Sequence, residues 1–190
     1  MMPVLKTARL VLRPPRQEDA APIALYLNDF AVAGNLARVP FPYRLGDAQA
    51  WLASRHPGLP PSEANFSILC EGLGFVGHIG FHAGPRGPVL GYWLGRPFWG
   101  RGIMTEAVGP SIAWFFTATG VGEIHSGVFH FNAASLAIQT RLGFVQTGRS
   151  SLLCLARGVE VEHIDTTLTL ERFRQHQHDN PRKAISSPEG

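Results

Sequence analysis

From Asn65 the apolar positions fall on every second residue. Phe66, Ile68 and Cys70 alternate with other residues, Gly72-Leu73-Gly74 turns the chain, and Phe75 to His82 returns. Ala83-Gly84-Pro85-Arg86-Gly87-Pro88 makes a second connection, into Val89-Leu90-Gly91-Tyr92-Trp93-Leu94, which Gly95-Arg96-Pro97 closes. The pattern predicts a three-stranded antiparallel meander.

Before it, Arg9 to Arg13 alternates as an opening strand and stops at Pro14-Pro15. Gln17-Glu18-Asp19 then gives an acidic start to a helix carrying Ala20, Ile23, Ala24 and Leu27, with Pro22 tolerated in its first turns. The segment from Asn28 to Arg44 reads as irregular. Asp47 is placed to cap a short helix from Ala48 to Arg55, which His56-Pro57-Gly58 ends; Pro60-Pro61 reads as a loop.

After the meander, Ala107, Ile112, Ala113, Phe115 and Phe116 have helical spacing, with Pro110 expected to remove one backbone bond and kink the helix. Gly120-Val121-Gly122 ends it, and Glu123 to Phe131 reads as a strand. Asn132 caps a helix from Ala133 to Leu142, and Gly143 stops it. Phe144-Val145 begins a sixth strand; Ser151 to Ala156 and Val161 to Leu170 flank an Arg157-Gly158 turn as a terminal hairpin. These elements predict one domain over 1–173, followed by a polar, disordered tail over 174–190.

Composition narrows the classes. With 190 residues, 45% hydrophobic and 16% charged, the chain can bury a core and is not globally disordered. A net charge of +3, with no basic run or stripe, gives no reason to expect nucleic acid. The first residues lack a signal peptide's apolar stretch, and no window spans a bilayer, so a membrane partner is not expected. Cys70 and Cys154 are far apart and read as free thiols of a reducing cytoplasm, with no metal site.

The chemistry centres on Trp99-Gly100-Arg101-Gly102-Ile103-Met104-Thr105-Glu106-Ala107, between a strand and a helix. Glycines let a backbone approach a phosphate, and the unbonded amides of a helix's first turn point at it with the dipole behind them. Arg101 adds charge and Thr105 a hydroxyl. An ordinary strand-to-helix turn, using glycine only for geometry, is the competing reading.

The order of elements resembles the GNAT superfamily of acyl-CoA-dependent N-acyltransferases, in the branch that acetylates N-terminal amines of ribosomal proteins. The resemblance runs from Thr7 to about Phe173. It is carried by Thr7 to Arg13, Gly91-Tyr92-Trp93-Leu94, the glycine segment, Asn132-Ala133-Ala134-Ser135 with Leu142-Gly143-Phe144, and Gly158 through Glu162-His163. It implies a mixed α+β fold: a twisted, mostly antiparallel sheet of about seven strands flanked by about four helices. It also implies acetyl-CoA as cosubstrate. Backbone amides of Gly100, Arg101, Gly102 and Met104, with Thr105, would hold the diphosphate. The pantetheine arm would lie along the strand ending at Leu94, whose amide is the family's oxyanion donor. Asn132 would contact that arm, and Ser135 would sit near the sulfur.

The sequence departs from the family where acid–base groups are expected. Val89 stands where many members carry glutamate, Ser151-Leu152-Leu153-Cys154 has no acid, and Gln139 lies near the position of the family's tyrosine acid. The acid role therefore falls to Ser135, which also reads as a helix-start residue. His78 and His82, on one strand face, His130 and His163 are candidate bases, each also readable as structural. Glu106 reads as charge complementarity at a helix start. Tyr92, Trp93, Phe98 and Trp99 are candidates for an acceptor pocket or for core packing.

The leading expectation is an N-acetyltransferase, monomeric or homodimeric, acting on a primary amine: a protein N-terminus or a small molecule. An α-amine, of pKa about 8, needs less help from a base than lysine at about 10.4. A small acceptor favours a closed pocket with a fixed acid. A protein acceptor favours an open groove between the Asn28 to Arg44 segment and the terminal hairpin. A non-catalytic CoA-binding protein is the alternative class, and a nucleic-acid-binding module a poor third.

Overall fold

Every strand of the expected meander forms, and the sheet extends beyond it on both sides. The computed structural model describes residues 2–55 and 59–179. In chain order they form β1 (Leu5–Lys6), β2 (Leu10–Arg13), α1 (Ala20–Leu27), α2 (Phe30–Ala33), α3 (Leu45–Ala53), β3 (Asn65–Cys70), β4 (Gly74–Gly84) and β5 (Gly87–Leu94). There follow α4 (Ile103–Thr119), β6 (Glu123–Phe129), α5 (Ala133–Arg141), β7 (Val145–Cys154), β8 (Val159–Thr169) and α6 (Leu170–Asp179).

The sheet has eight strands in the order β1-β2-β3-β4-β5-β6-β8-β7. Every neighbouring pair is antiparallel except β5 and β6, which run parallel and share one register pair, Val89 with His125. Beyond that pair the two strands part.

Several boundaries differ from the sequence expectation. The sheet has eight strands rather than about seven, and six α-helices are described rather than about four. β1, too short to show a period, is held by pairing with β2. The segment from Asn28 to Arg44 contains α2, one turn capped by Asp29 Oδ1, which accepts from the Ala31 amide at 2.9 Å. Asp47 does cap α3, but from inside its first turn, accepting from the Arg44 amide at 2.7 Å. Phe131 lies outside β6. The sixth strand and the first arm of the terminal hairpin are one continuous β7. Of the expected tail, 174–179 belong to α6; 180–190 lie outside the described residues, as do His56-Pro57-Gly58.

Side-chain alternation gives the sheet two covered faces. Against one face α4 buries Ile103, Met104, Ala107, Val108, Ile112, Phe115 and Phe116, with Phe115 stacked on Phe81 of β4 at 3.9 Å. Each such fully buried ring stabilises the fold by roughly 1.5–3 kcal/mol. The other face takes α1 and α3, whose Ile23, Leu27, Ala48 and Leu52 pack with Phe75 and Trp93. A buried ion pair ties the start of α1 to the sheet. Arg13 holds Asp19 through two bonds of 2.9 and 2.7 Å, and the Ser67 hydroxyl of β3 donates to Asp19 at 2.7 Å.

A slot between two parting strands

Backbone direction along β5 follows from one bond. The Gly95 amide donates to Val76 at 2.9 Å, continuing the antiparallel register that pairs Leu94 with Gly77. Antiparallel residues bond their two sides alternately, so Leu90, Tyr92 and Leu94 turn their amides and carbonyls away from β4, toward β6. Two contacts agree: Ser126 Oγ of β6 donates to the Leu90 carbonyl, and Trp99 Nε1 to the Leu94 carbonyl, each at 2.9 Å. Past Leu90 no register pair joins β5 to β6. The amides of Tyr92 and Leu94 therefore face a slot, part of a cleft of about 1710 Å³ that runs through the sheet.

On the α4 side the slot meets the glycine segment. Gly100 and Gly102 both take left-handed backbone, with φ of +71° and +73°. A Cβ on Gly100 would meet nothing within 4 Å, so these glycines answer to conformation rather than crowding. Gly102 is the residue before α4 and supplies no side-chain cap. The amides of Ile103, Met104 and Thr105, which have no intrahelical acceptor, gather at that end with the positive pole of a seventeen-residue helix. Leu94, Gly100, Arg101, Gly102, Met104 and Thr105 all line the cleft. Glu106 does not. Its carboxylate accepts from Thr7 Oγ1 at 2.6 Å and from Arg9 Nε at 2.9 Å. Burial would raise its pKa, but the bonds from Thr7 and Arg9 outweigh it and hold it low. It anchors the N-terminal strand to α4.

Asn132 and Ser135 stand across the slot, at the start of α5. Asn132 Oδ1 accepts from the Ser135 amide at 3.1 Å, the capping arrangement its sequence position implies. Ser135 Oγ lies 2.8 Å from the Tyr92 hydroxyl. Burial raises the Tyr92 pKa, against the opposing bonds from Ser135 and Gln139, so the phenol keeps its proton at neutral pH. This partnership, between residues 43 apart, has no signature in the sequence. It also corrects Tyr92 as a candidate for the acceptor pocket, since the ring points to the α5 side. Gln139 is buried: Thr166 donates to its Oε1 at 2.7 Å, and its Nε2 donates to Ser126 at 3.0 Å. It is a strut between α5 and the sheet. Trp93 packs with the α1–α3 cluster and Phe98 with the core, edge-on to Tyr26.

On the opposite face, register aligns His82 with Val89, and Val89 with His125, so these residues and Gly91, Gly127, His163 and Asp165 share one side. His163 Nδ1 lies 2.8 Å from Asp165 Oδ1, which also accepts from Ser150 Oγ at 2.8 Å. The imidazole lies directly over Gly127, where a Cβ would fall 2.1 Å from its Cε1. His78 is buried edge-on to Trp51, at 4.9 Å between ring centroids. Burial, helped by the Arg55 charge, lowers its pKa to about 3 despite Asp19. Burial and the charges of Arg38 and Arg55 lower His82 to about 4. His130 is exposed against Phe131 and does not line the cleft. His125 bonds through both nitrogens, to Thr167 and to the Arg86 carbonyl. Of the candidate bases, His163 alone has a carboxylate held against one nitrogen.

The outer wall of this face is bridged. The Leu155 amide donates to Ala37 at 3.0 Å, and Arg157 Nε to the Gly34 carbonyl at 2.8 Å. The Arg157 guanidinium lies over Phe131 at 4.5 Å and Phe30 at 5.1 Å. The 30–37 segment and the β7–β8 hairpin thus meet over the cleft. No described helix is long and apolar enough to cross a membrane.

Residues 9–145 match the profile of the acetyltransferase (GNAT) domain family. A Bacillus licheniformis protein named uncharacterized N-acetyltransferase p20 is 30% identical over 77% of this chain and 85% of its own length. Among solved structures, the ribosomal-protein-S5-alanine acetyltransferase of Vibrio fischeri superposes with a TM-score of 0.74 at 21% identity, covering 88% of this chain and 97% of its own. Microcin C7 self-immunity acetyltransferase MccE, solved with acetyl-CoA and AMP, gives 0.74 at 19% identity, covering 86% and 94%.

Proposed function

The chain belongs to the GNAT acetyltransferase family, and from that premise we propose that it moves the acetyl group of acetyl-CoA onto the primary amine of a small molecule. The observation that carries the choice of acceptor is the bridge of Leu155 and Arg157 to Ala37 and Gly34. An open groove for a protein segment would need those two walls apart.

Acetyl-CoA fits the residues present: two left-handed glycines, open space above Gly100, and first-turn amides of α4 with no side-chain cap. Gly100, Arg101, Gly102, Met104 and Thr105 hold the diphosphate, and the free edge of β5 aligns the pantetheine arm. Asn132 bonds that arm through its Nδ2, its Oδ1 being spent on the cap. When bound, acetyl-CoA supplies an activated acyl thioester.

The remaining chemistry belongs to side chains and one amide. The Leu94 N–H, turned into the slot, donates to the oxygen on which charge develops. His163 accepts the proton from the attacking amine, its ring fixed by Asp165. Ser135, backed by the Tyr92 phenol, gives its hydroxyl proton to the sulfur on the other side of the sheet; solvent restores that proton, and His163 releases the one it took from the amine. Holding amine and thioester in line across the parting strands supplies much of the rate. Incubating the purified protein with labelled acetyl-CoA, a panel of small primary amines, and long peptides with free N-termini tests the reading by mass spectrometry. Label on small amines supports it, and label on peptides alone refutes the choice of acceptor. Saturable CoA binding with no label anywhere favours the non-catalytic alternative.

A further inference from the structure

The acceptor side of the cleft is lined by cations with almost nothing to neutralise them. Arg38 and Arg55 both line it, near His78, His82 and Trp51. Arg55 is held by its own neighbourhood: Nε donates to Ser54 Oγ at 3.2 Å, and the guanidinium lies 5.6 Å from the Trp51 ring centroid. Among the described residues neither arginine has a carboxylate partner. Asp165 is the one carboxylate among the described residues lining the cleft, and His163 and Ser150 already occupy it. Arg38 is exposed and Arg55 half-buried, and with burial their charges depress His82, as Arg55 also depresses His78.

Two arginines along the wall of a partly closed cavity, without counter-charge, repel a second ammonium group and attract an anion. Guanidinium also matches the geometry of carboxylate and phosphate, which it binds through paired N–H groups. We infer that the acceptor carries a carboxylate or phosphate on the same molecule as its amine, and that Arg38 and Arg55 bind that anion. The inference rests on the small-amine reading above and specifies its substrate class. A polyamine, which brings several positive charges, is the acceptor least suited to this wall.

The test uses the purified chain and thiol release from acetyl-CoA with matched amines: methionine against methioninamide, O-phosphoethanolamine against ethanolamine, and spermidine. We expect kcat/KM roughly tenfold or more higher for the anionic member of at least one pair, the size of a hydrogen bond to a charged group. Which pair shows it separates carboxylate from phosphate. Arg38→Ala and Arg55→Ala should raise KM for that amine with little change in kcat, and Arg38→Lys should recover part of the loss. Equal rates within both pairs, a preference for spermidine, or equal losses on both members of a pair would overturn the inference while leaving acetyl transfer intact. Release with none of the amines would remove both.

Discussion

His163 and Asp165 sit two positions apart on β8, on one face of the strand, with Nδ1 and Oδ1 2.8 Å apart. A carboxylate on one ring nitrogen fixes the orientation of the imidazole and leaves the other nitrogen free of it. We expect His163→Asn to lower kcat by about 10²–10⁴, the usual worth of a general base. Asp165→Asn should lower it less. Neither should change acetyl-CoA affinity by calorimetry, and parallel losses of affinity would make the pair structural.

Gly102→Asp places a carboxylate beside the amides that open α4, at a backbone with φ of +73°. Asp tolerates this conformation better than most residues, and the nearest atom to a new Cβ is Arg9 Nη2 at 3.8 Å. The fold should survive. Acetyl-CoA binding should vanish, because the new charge repels diphosphate and competes for the same amides. Unchanged affinity by calorimetry would unseat the cradle.

Ser135→Ala removes the hydroxyl bonded to Tyr92, and Tyr92→Phe removes its partner. If they pass one proton between them, each variant lowers kcat more than it raises KM for acetyl-CoA, and the double variant is little worse than either single one. Additive losses in steady-state kinetics would show that they act separately.

Acid stability should report the Asp19 pair. Burial would raise the Asp19 pKa, but bonds from Arg13, the Arg16 amide and Ser67 outweigh it and bring the folded value below 3.8. The carboxylate's contribution is therefore complete above 3.8 and disappears as pH falls from there through the lowered folded value. Asp19→Asn leaves the buried Arg13 guanidinium only the exposed Glu18 as counter-charge and should cost up to about 3 kcal/mol at neutral pH. In denaturant titrations the difference between variant and parent should shrink as pH drops; a constant difference would contradict the assignment.

What lay open in the sequence was local. Alternation between Phe66 and His82 specified the meander, because each strand needs one face in the core. Gly100 and Gly102 marked the left-handed turn before α4, since few other residues adopt their backbone angles. Asn132 marked the start of α5 because its side chain completes the first turn. The spacing of His163 and Asp165, two residues apart on a strand, is also visible in the sequence.

The remaining features depend on chain segments that meet only when folded. β1 and α2 are too short to be periodic and take their order from pairing and packing. Tyr92 meets Ser135 where β5 and β6, which share a single register pair, have parted. Val89 stands where many family members carry an acid, while the histidine proposed as base stands on another strand, beside a carboxylate and above a glycine. The geometry of the glycine segment was legible in the sequence, because backbone conformation and helix termini are properties of contiguous residues. The proposed acceptor end came from the tertiary structure, because its roof joins segments more than a hundred residues apart, Gly34 and Arg157, and its arginines and histidines come from different elements that meet only in the fold.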